Sequence, residues 1–230
     1  MSGGSRVRTR FIRILLAITG LCCQFFGCAN LSNFQTAEVL EISDIKSMSG
    51  ITVVEIATDG DPEELIWDEN YVVFEGGGRM GLSDRLDGGL RFALNSYTLG
   101  VAGDLKFQWI DSKFLDASID AGLGINTVDE DLAVVEGGWI YDIFSSLLFT
   151  FNFSEAFKLT LVPRVKHRSI TSTGEGEWET LTGGTLTLAL GKDFVVLPEV
   201  GFMRAGGIEY VHYGIGFSFY KGDSLFGRKH

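Results

Sequence analysis

Three side chains in the last third of the chain have the types needed for acid–base or nucleophilic chemistry: Glu199, His212 and Ser218. A hydrolase needs a nucleophile, a base and a group that orients the base, all within hydrogen-bond reach. His212 and Ser218 lie six residues apart on one alternating segment. At about 3.3 Å per residue they are about 20 Å apart, so they cannot pair. They are read as structural, and no catalytic residue is expected. The run Asp59 to Glu64 clusters carboxylates that could offer hard oxygen ligands to Ca²⁺. Its spacing is not that of a twelve-residue EF-hand loop, so a solvated acidic loop without metal is expected. The cysteines are Cys22, Cys23 and Cys28. The rest of the chain therefore offers no thiol for a disulfide framework, a metal or a nucleophile. No cofactor is implied.

The segment that holds those cysteines is itself informative. Ile14 to Gly27 is an apolar run interrupted by Gln24, well short of the roughly 20 residues that span a bilayer as a helix. Arg6, Arg8, Arg10 and Arg13 precede it, and the first acid is Glu38. A basic start and a short apolar run predict a secretory signal over 1–27. Phe25-Phe26-Gly27-Cys28 resembles a bacterial lipobox, which implies acylation at Cys28; cleavage by ordinary signal peptidase is the alternative. Losing four arginines and no acid takes the formal charge from −11 to −15. Such a chain is a poor partner for nucleic acid.

Beyond residue 46 the dominant signal is alternation with period two, which marks strands with two unlike faces. Phe157, Leu159, Leu161 and Val165 alternate with Lys158, Thr160, Arg164 and Lys166. Ten such segments are predicted, at about 47–57, 71–82, 86–95, 98–109, 114–126, 142–153, 156–168, 180–190, 194–204 and 209–220. Most exceed the usual soluble strand of about 5–6 residues and match the 9–11 of a tilted membrane strand. Tight polar turns alternate with mostly longer connections, as in outer-membrane barrels. Pro163 and Pro198 fall inside segments and predict local bulges. The fold expected is all-β: a ten-stranded antiparallel transmembrane (outer-membrane) β-barrel over 47–220. A periplasmic linker would occupy 28–46 and a periplasmic tail 221–230.

The stretches "CANLSNFQTAEVL", "GGRMGLSDRLDGGLRFAL", "LVPRVKHRSI" and "YGIGFSFY" resemble bacterial outer-membrane β-barrel lipoproteins. The resemblance implies a non-enzymatic, lipid-anchored barrel of the bacterial cell outer membrane with loops facing the exterior. It carries no catalytic signature. His212, Gly214, Phe217 and Phe219 resemble the insertion signal read by the barrel assembly machinery.

On the polar parity, Glu75, Asp87, Asp104, Asp116, Asp120 and Glu199 face Arg79, Arg91, Lys106, Lys158, Arg164, Lys166 and Arg168. Near-balanced charge predicts an ion-paired lumen, since a buried charge persists only when paired. A selective pore is the alternative reading of the same residues. Trp67, Trp139 and Trp178 are expected in outer loops as anchors that meet an extracellular partner or pack the loops. Three functions follow: a structural or surface-interaction protein, a narrow channel for small solutes, or a soluble lipocalin-like carrier of apolar ligands with its faces reversed.

Overall fold

The computed structural model describes residues 33–58, 70–95, 98–128, 138–171 and 177–221. Cys28 and the signal segment, Asp59 to Glu64, Trp67 and residues 222–230 lie outside them. The described chain forms ten strands: β1 (Ile45–Thr58), β2 (Tyr71–Ser83), β3 (Leu86–Leu94), β4 (Thr98–Ile110), β5 (Leu115–Val128), β6 (Trp139–Ser154), β7 (Phe157–Thr171), β8 (Glu177–Leu190), β9 (Phe194–Ala205) and β10 (Ile208–Lys221). Each pairs antiparallel with its chain neighbour, and β1 pairs with β10 to close a barrel. The closing ladder runs unbroken from Ile45 against Lys221 to Thr58 against Ile208.

The tight turns β2–β3, β4–β5, β6–β7 and β8–β9 gather at one end with the start of β1. Three of those hairpins carry a register shift there, at Gly81/Ser83, Gln108/Ile110 and Asn152/Ser154. The prolines do something different from the bulges expected of them. Pairing of β6 with β7 skips from Ser146–Arg164 to Phe149–Leu161, and that of β8 with β9 skips from Thr187–Glu199 to Leu190–Val196. In both cases the register is the same on either side of the gap. The missing proline donor opens the ladder locally, while the opposite neighbour keeps Pro163 against Gly184 and Pro198 against Ile215.

The alternation sorts the faces. Phe74, Leu90, Phe92, Leu105, Leu123, Ile143, Leu161, Val200 and Phe202 are exposed outside, whereas Asp87, Asp104, Asp120, Arg79, Arg91 and Lys166 are buried inside. A carrier of apolar ligands would have the reverse arrangement. Phe114, Phe153, Phe157, Phe194 and Phe219 ring the tight-turn end of the exterior, with Phe194 and Phe219 rings 4.8 Å apart. Trp139 and Trp178 are exposed at the other end, but as the outer ends of β6 and β8, not in loops.

The segment expected to be a periplasmic linker lies instead inside the barrel. Asn33 to Ala37 and Leu40 are buried, and β1 starts at Ile45. The Asn33 and Phe34 amides donate to Glu199, the sixth residue of β9, at 2.7 and 2.8 Å. Ala37 N–H donates to Thr150 Oγ1 at 2.7 Å, Val39 N–H to Gln108 Oε1 at 3.1 Å, and Leu40 N–H to Asp87 Oδ2 at 3.3 Å. These acceptors sit progressively nearer the tight turns, so the segment descends from mid-lumen to the tight-turn rim. It leaves past Gly81, whose N–H donates to Asp44 O and whose O accepts from Ser43 N–H. A Cβ on Gly81 would come within 2.6 Å of Leu40 O. Gly81→Ala is therefore expected to destabilise the folded barrel by about 1–3 kcal/mol, the range for overpacking a filled site. Urea unfolding followed by Trp fluorescence measures it.

Candidate functional site

The chemistry-bearing residues of this chain converge on the lumen. Alternation places them there, because residues two apart on a strand share a face. Cross-strand register then decides who meets whom. On β2 to β5, Arg79 donates through Nε to Asp87 at 2.8 Å and also pairs with Asp104. Asp104 pairs in turn with Arg91 at 3.1 Å, and Arg91 lies 3.8 Å from Asp120. Lys106 reaches Asp87 at 3.3 Å. All six groups are buried.

A second cluster centres on Asp142 of β6, which takes Arg168 Nε at 2.9 Å and Lys166 Nζ at 3.3 Å, both from β7. Between the two clusters, the guanidinium groups of Arg91 and Arg164 lie 5.4 and 4.9 Å from the centroid of the Phe144 ring. Those separations are within cation–π range. The space beside Phe144 holds only about 20 Å³, close to the room one water needs.

Near the tight turns, Asp116 accepts from Gln108 Nε2 at 3.2 Å and Asn152 Nδ2 at 2.6 Å. Lys158 pairs with Glu38 of the lumenal segment. Lys106 Nζ donates to the carbonyls of Thr36 and Glu38 at 3.1 and 2.5 Å. At mid-lumen Glu199 accepts from Thr187 Oγ1 at 2.6 Å and lies 3.3 Å from His212 Nε2, besides holding the two segment amides. Glu75 is buried in the same lumen.

The lumenal end away from the tight turns is closed differently. Val54, Tyr71, Val73, Ala93, Ile140, Leu181, Met203 and Tyr210 form a buried apolar cluster there. Most acids and bases of the polar parity are buried inside, and further charges there, among them Asp142, Glu38 and Lys46, fall outside the set expected from sequence. Asp142 opens the sixth segment on the same parity as Ser146 and Thr150, so its signal was available. Glu38 and Lys46 lie in the stretch expected to be a linker, which shows no alternation. His212 and Glu199 are neighbours, whereas Ser218 is farther along β10, buried and away from them in sequence. Gly214 of the insertion-like pattern faces the lumen against Phe34, and Phe217 and Phe219 face outward. Among the described residues no cluster of His, Cys, Asp and Glu has the arrangement of a metal site.

Asp142→Ala removes the carboxylate that Lys166 and Arg168 share while both stay buried. Breaking a buried pair costs about 3–5 kcal/mol. The exposed turn pair Lys192–Glu155 is the control: Lys192→Ala should leave the unfolding midpoint unchanged within error. Equal effects of the two substitutions in urea unfolding would contradict the pairing described.

No family model matches the chain, and no curated protein does. Among solved structures it is similar to Ail, the attachment invasion locus protein of Yersinia pestis, at 12% identity over 78% of this chain and 98% of that one, with a TM-score of 0.36. It is similar to the outer membrane protease OmpT from Escherichia coli at 8% identity over 81% and 100%, with a TM-score of 0.43. The translocator domain of autotransporter NalP from Neisseria meningitidis gives 7% identity over 76% and 88%, with a TM-score of 0.33. What this chain's own geometry establishes is a closed ten-stranded antiparallel β-barrel with a charged, filled lumen and an apolar outer wall.

Proposed function

We propose that this chain is a non-enzymatic barrel of the bacterial outer membrane, lipid-anchored at Cys28, which acts through what it presents at the end opposite the tight turns. The observation that carries the membrane reading is the inverted wall: charges inside, a continuous belt of Phe, Leu, Ile and Val outside. In water that belt would be an exposed apolar patch far larger than soluble proteins carry. In a bilayer it is what every strand needs, and closure leaves no unpaired edge. Exterior aromatics at both ends match interfacial girdles. The tight-turn end then faces the periplasm, and the barrel assembly machinery would insert the chain through its last strand.

The filled lumen favours a surface-interaction or structural role over a narrow channel. Ion pairs occupy its middle, the N-terminal segment its tight-turn half and apolar side chains its far end. Reconstituted in planar bilayers, the protein should show no steady conductance. A large, stable current would make the channel the correct reading.

Location and anchor have separate tests. The protein should fractionate with outer membranes, and fatty-acid label should be lost in Cys28→Ser while the barrel still assembles. Label persisting in that variant would exclude Cys28 as the anchor. Phe219→Ala removes an exterior aromatic of the closing strand and should lower the yield of heat-modifiable barrel several-fold, read on gels.

A further inference from the structure

The N-terminal segment is bound in a way that resembles a ligand more than a strand. Its main chain is read by side chains from the barrel wall. Glu199, Thr150, Gln108 and Asp87 accept from the N–H groups of Asn33, Phe34, Ala37, Val39 and Leu40, and Lys106 donates to two carbonyls. Main-chain recognition of an extended peptide depends little on its sequence; side-chain pockets supply the specificity. Here there are two. Phe34 enters a hollow left by Gly50, Gly214 and Gly216, backed by Ala189 and Leu197. A Cβ on Gly214 or Gly216 would come within 2.7 Å of its ring. Four residues on, Glu38 meets Lys158.

The resident sequence fits this site imperfectly. Phe34 has φ 41°, in the left-handed region that a bulky residue rarely adopts. The side-chain amides of Asn33 and Gln35 are buried, and neither their oxygens nor their nitrogens have a hydrogen-bond partner among the described residues. Buried polar atoms without partners weigh against the bound state. The wall, by contrast, is well provided with acceptors and donors for a peptide backbone.

We infer that the tight-turn half of the lumen is a peptide-binding site, occupied here by residues 33–40 as an exchangeable resident. Its ligand is an extended polypeptide segment with Phe followed four residues later by an acid, entering from the tight-turn end. A ligand with apolar residues at the Asn33 and Gln35 places binds better than the resident sequence. The inference holds wherever the barrel resides, so it stands or falls separately from the membrane reading.

The test uses the full chain, folded in detergent and checked by heat modifiability. The probe is a fluorescent peptide of sequence Asn-Phe-Gln-Thr-Ala-Glu-Val-Leu. Against the wild type, the resident competes and binding is weak. Phe34→Ala in the protein loosens the resident, so its 33–40 amides should lose hydrogen-exchange protection and the probe should bind at least tenfold more tightly. Adding Glu199→Gln to that variant should remove the gain. A probe with Asn33→Leu and Gln35→Met should bind about tenfold more tightly than the unaltered one. If Phe34→Ala does not fold, Glu38→Ala frees the other anchor from the resident's side, leaves Lys158 for the probe, and gives the same readouts. Three results would overturn the inference: protection that persists in both variants, release without probe binding, or equal affinity for wild type and variant.

Discussion

The buried cations of β2 to β4, and two of those on β7, sit against carboxylates, and that pairing organises the structure. An isolated ion buried in a protein interior carries a desolvation penalty of several kcal/mol. Arg79, Arg91, Lys106, Lys166 and Arg168 all meet it by reaching sideways to a neighbouring strand, not across the lumen. Lateral pairing ties the ion pairs to register. Lys166 and Arg168 of β7 meet Asp142 because Asp142 stands opposite Arg168, and a slip of β7 by one residue would send both cations to the outer wall and leave Asp142 without them. The charges thus do for register on the inside what the apolar belt does on the outside.

Where no strand supplies the partner, the N-terminal segment does. Lys158 on β7 pairs with Glu38, and the Glu199 carboxylate, held by Thr187 and beside His212, accepts two segment amides. Glycine makes this possible. Gly50 and Gly216 stand opposite each other in the β1–β10 ladder, with Gly214 opposite Thr52. The inner face of the closing seam is therefore a trough, and Phe34 fills it. The residue that leads into β1 packs over the joint that β1 makes with β10.

The fold was largely legible in the sequence because period two survives wherever one side of a strand meets charge and the other meets apolar surroundings. Lys158, Thr160, Arg164 and Lys166 against Phe157, Leu159, Leu161 and Val165 leave little choice of face. Residues 33–44 carried no such mark. They are read through their main chain, which every sequence possesses, and so their composition resembles that of a linker. Strand ends were harder for a related reason. Trp139 and Trp178 look like loop residues beside acids, yet ladder pairing to Thr171 and Ser169 takes both into the strands.

The prolines join these threads. The gap beside Pro163 lies next to Leu148 and Val162, which pack on Ala37, and the gap beside Pro198 lies next to Leu197 and Ala189, which pack on Phe34. At each gap the ladder is open on one side, and the lumenal side chains there are covered by the N-terminal segment. Contacts from inside thus support the wall at the two proline gaps. A segment that covered only an intact ladder would add burial alone. Placed over both gaps, it adds packing where the ladder has lost a donor, Phe34 beside Pro198 and Ala37 beside Pro163.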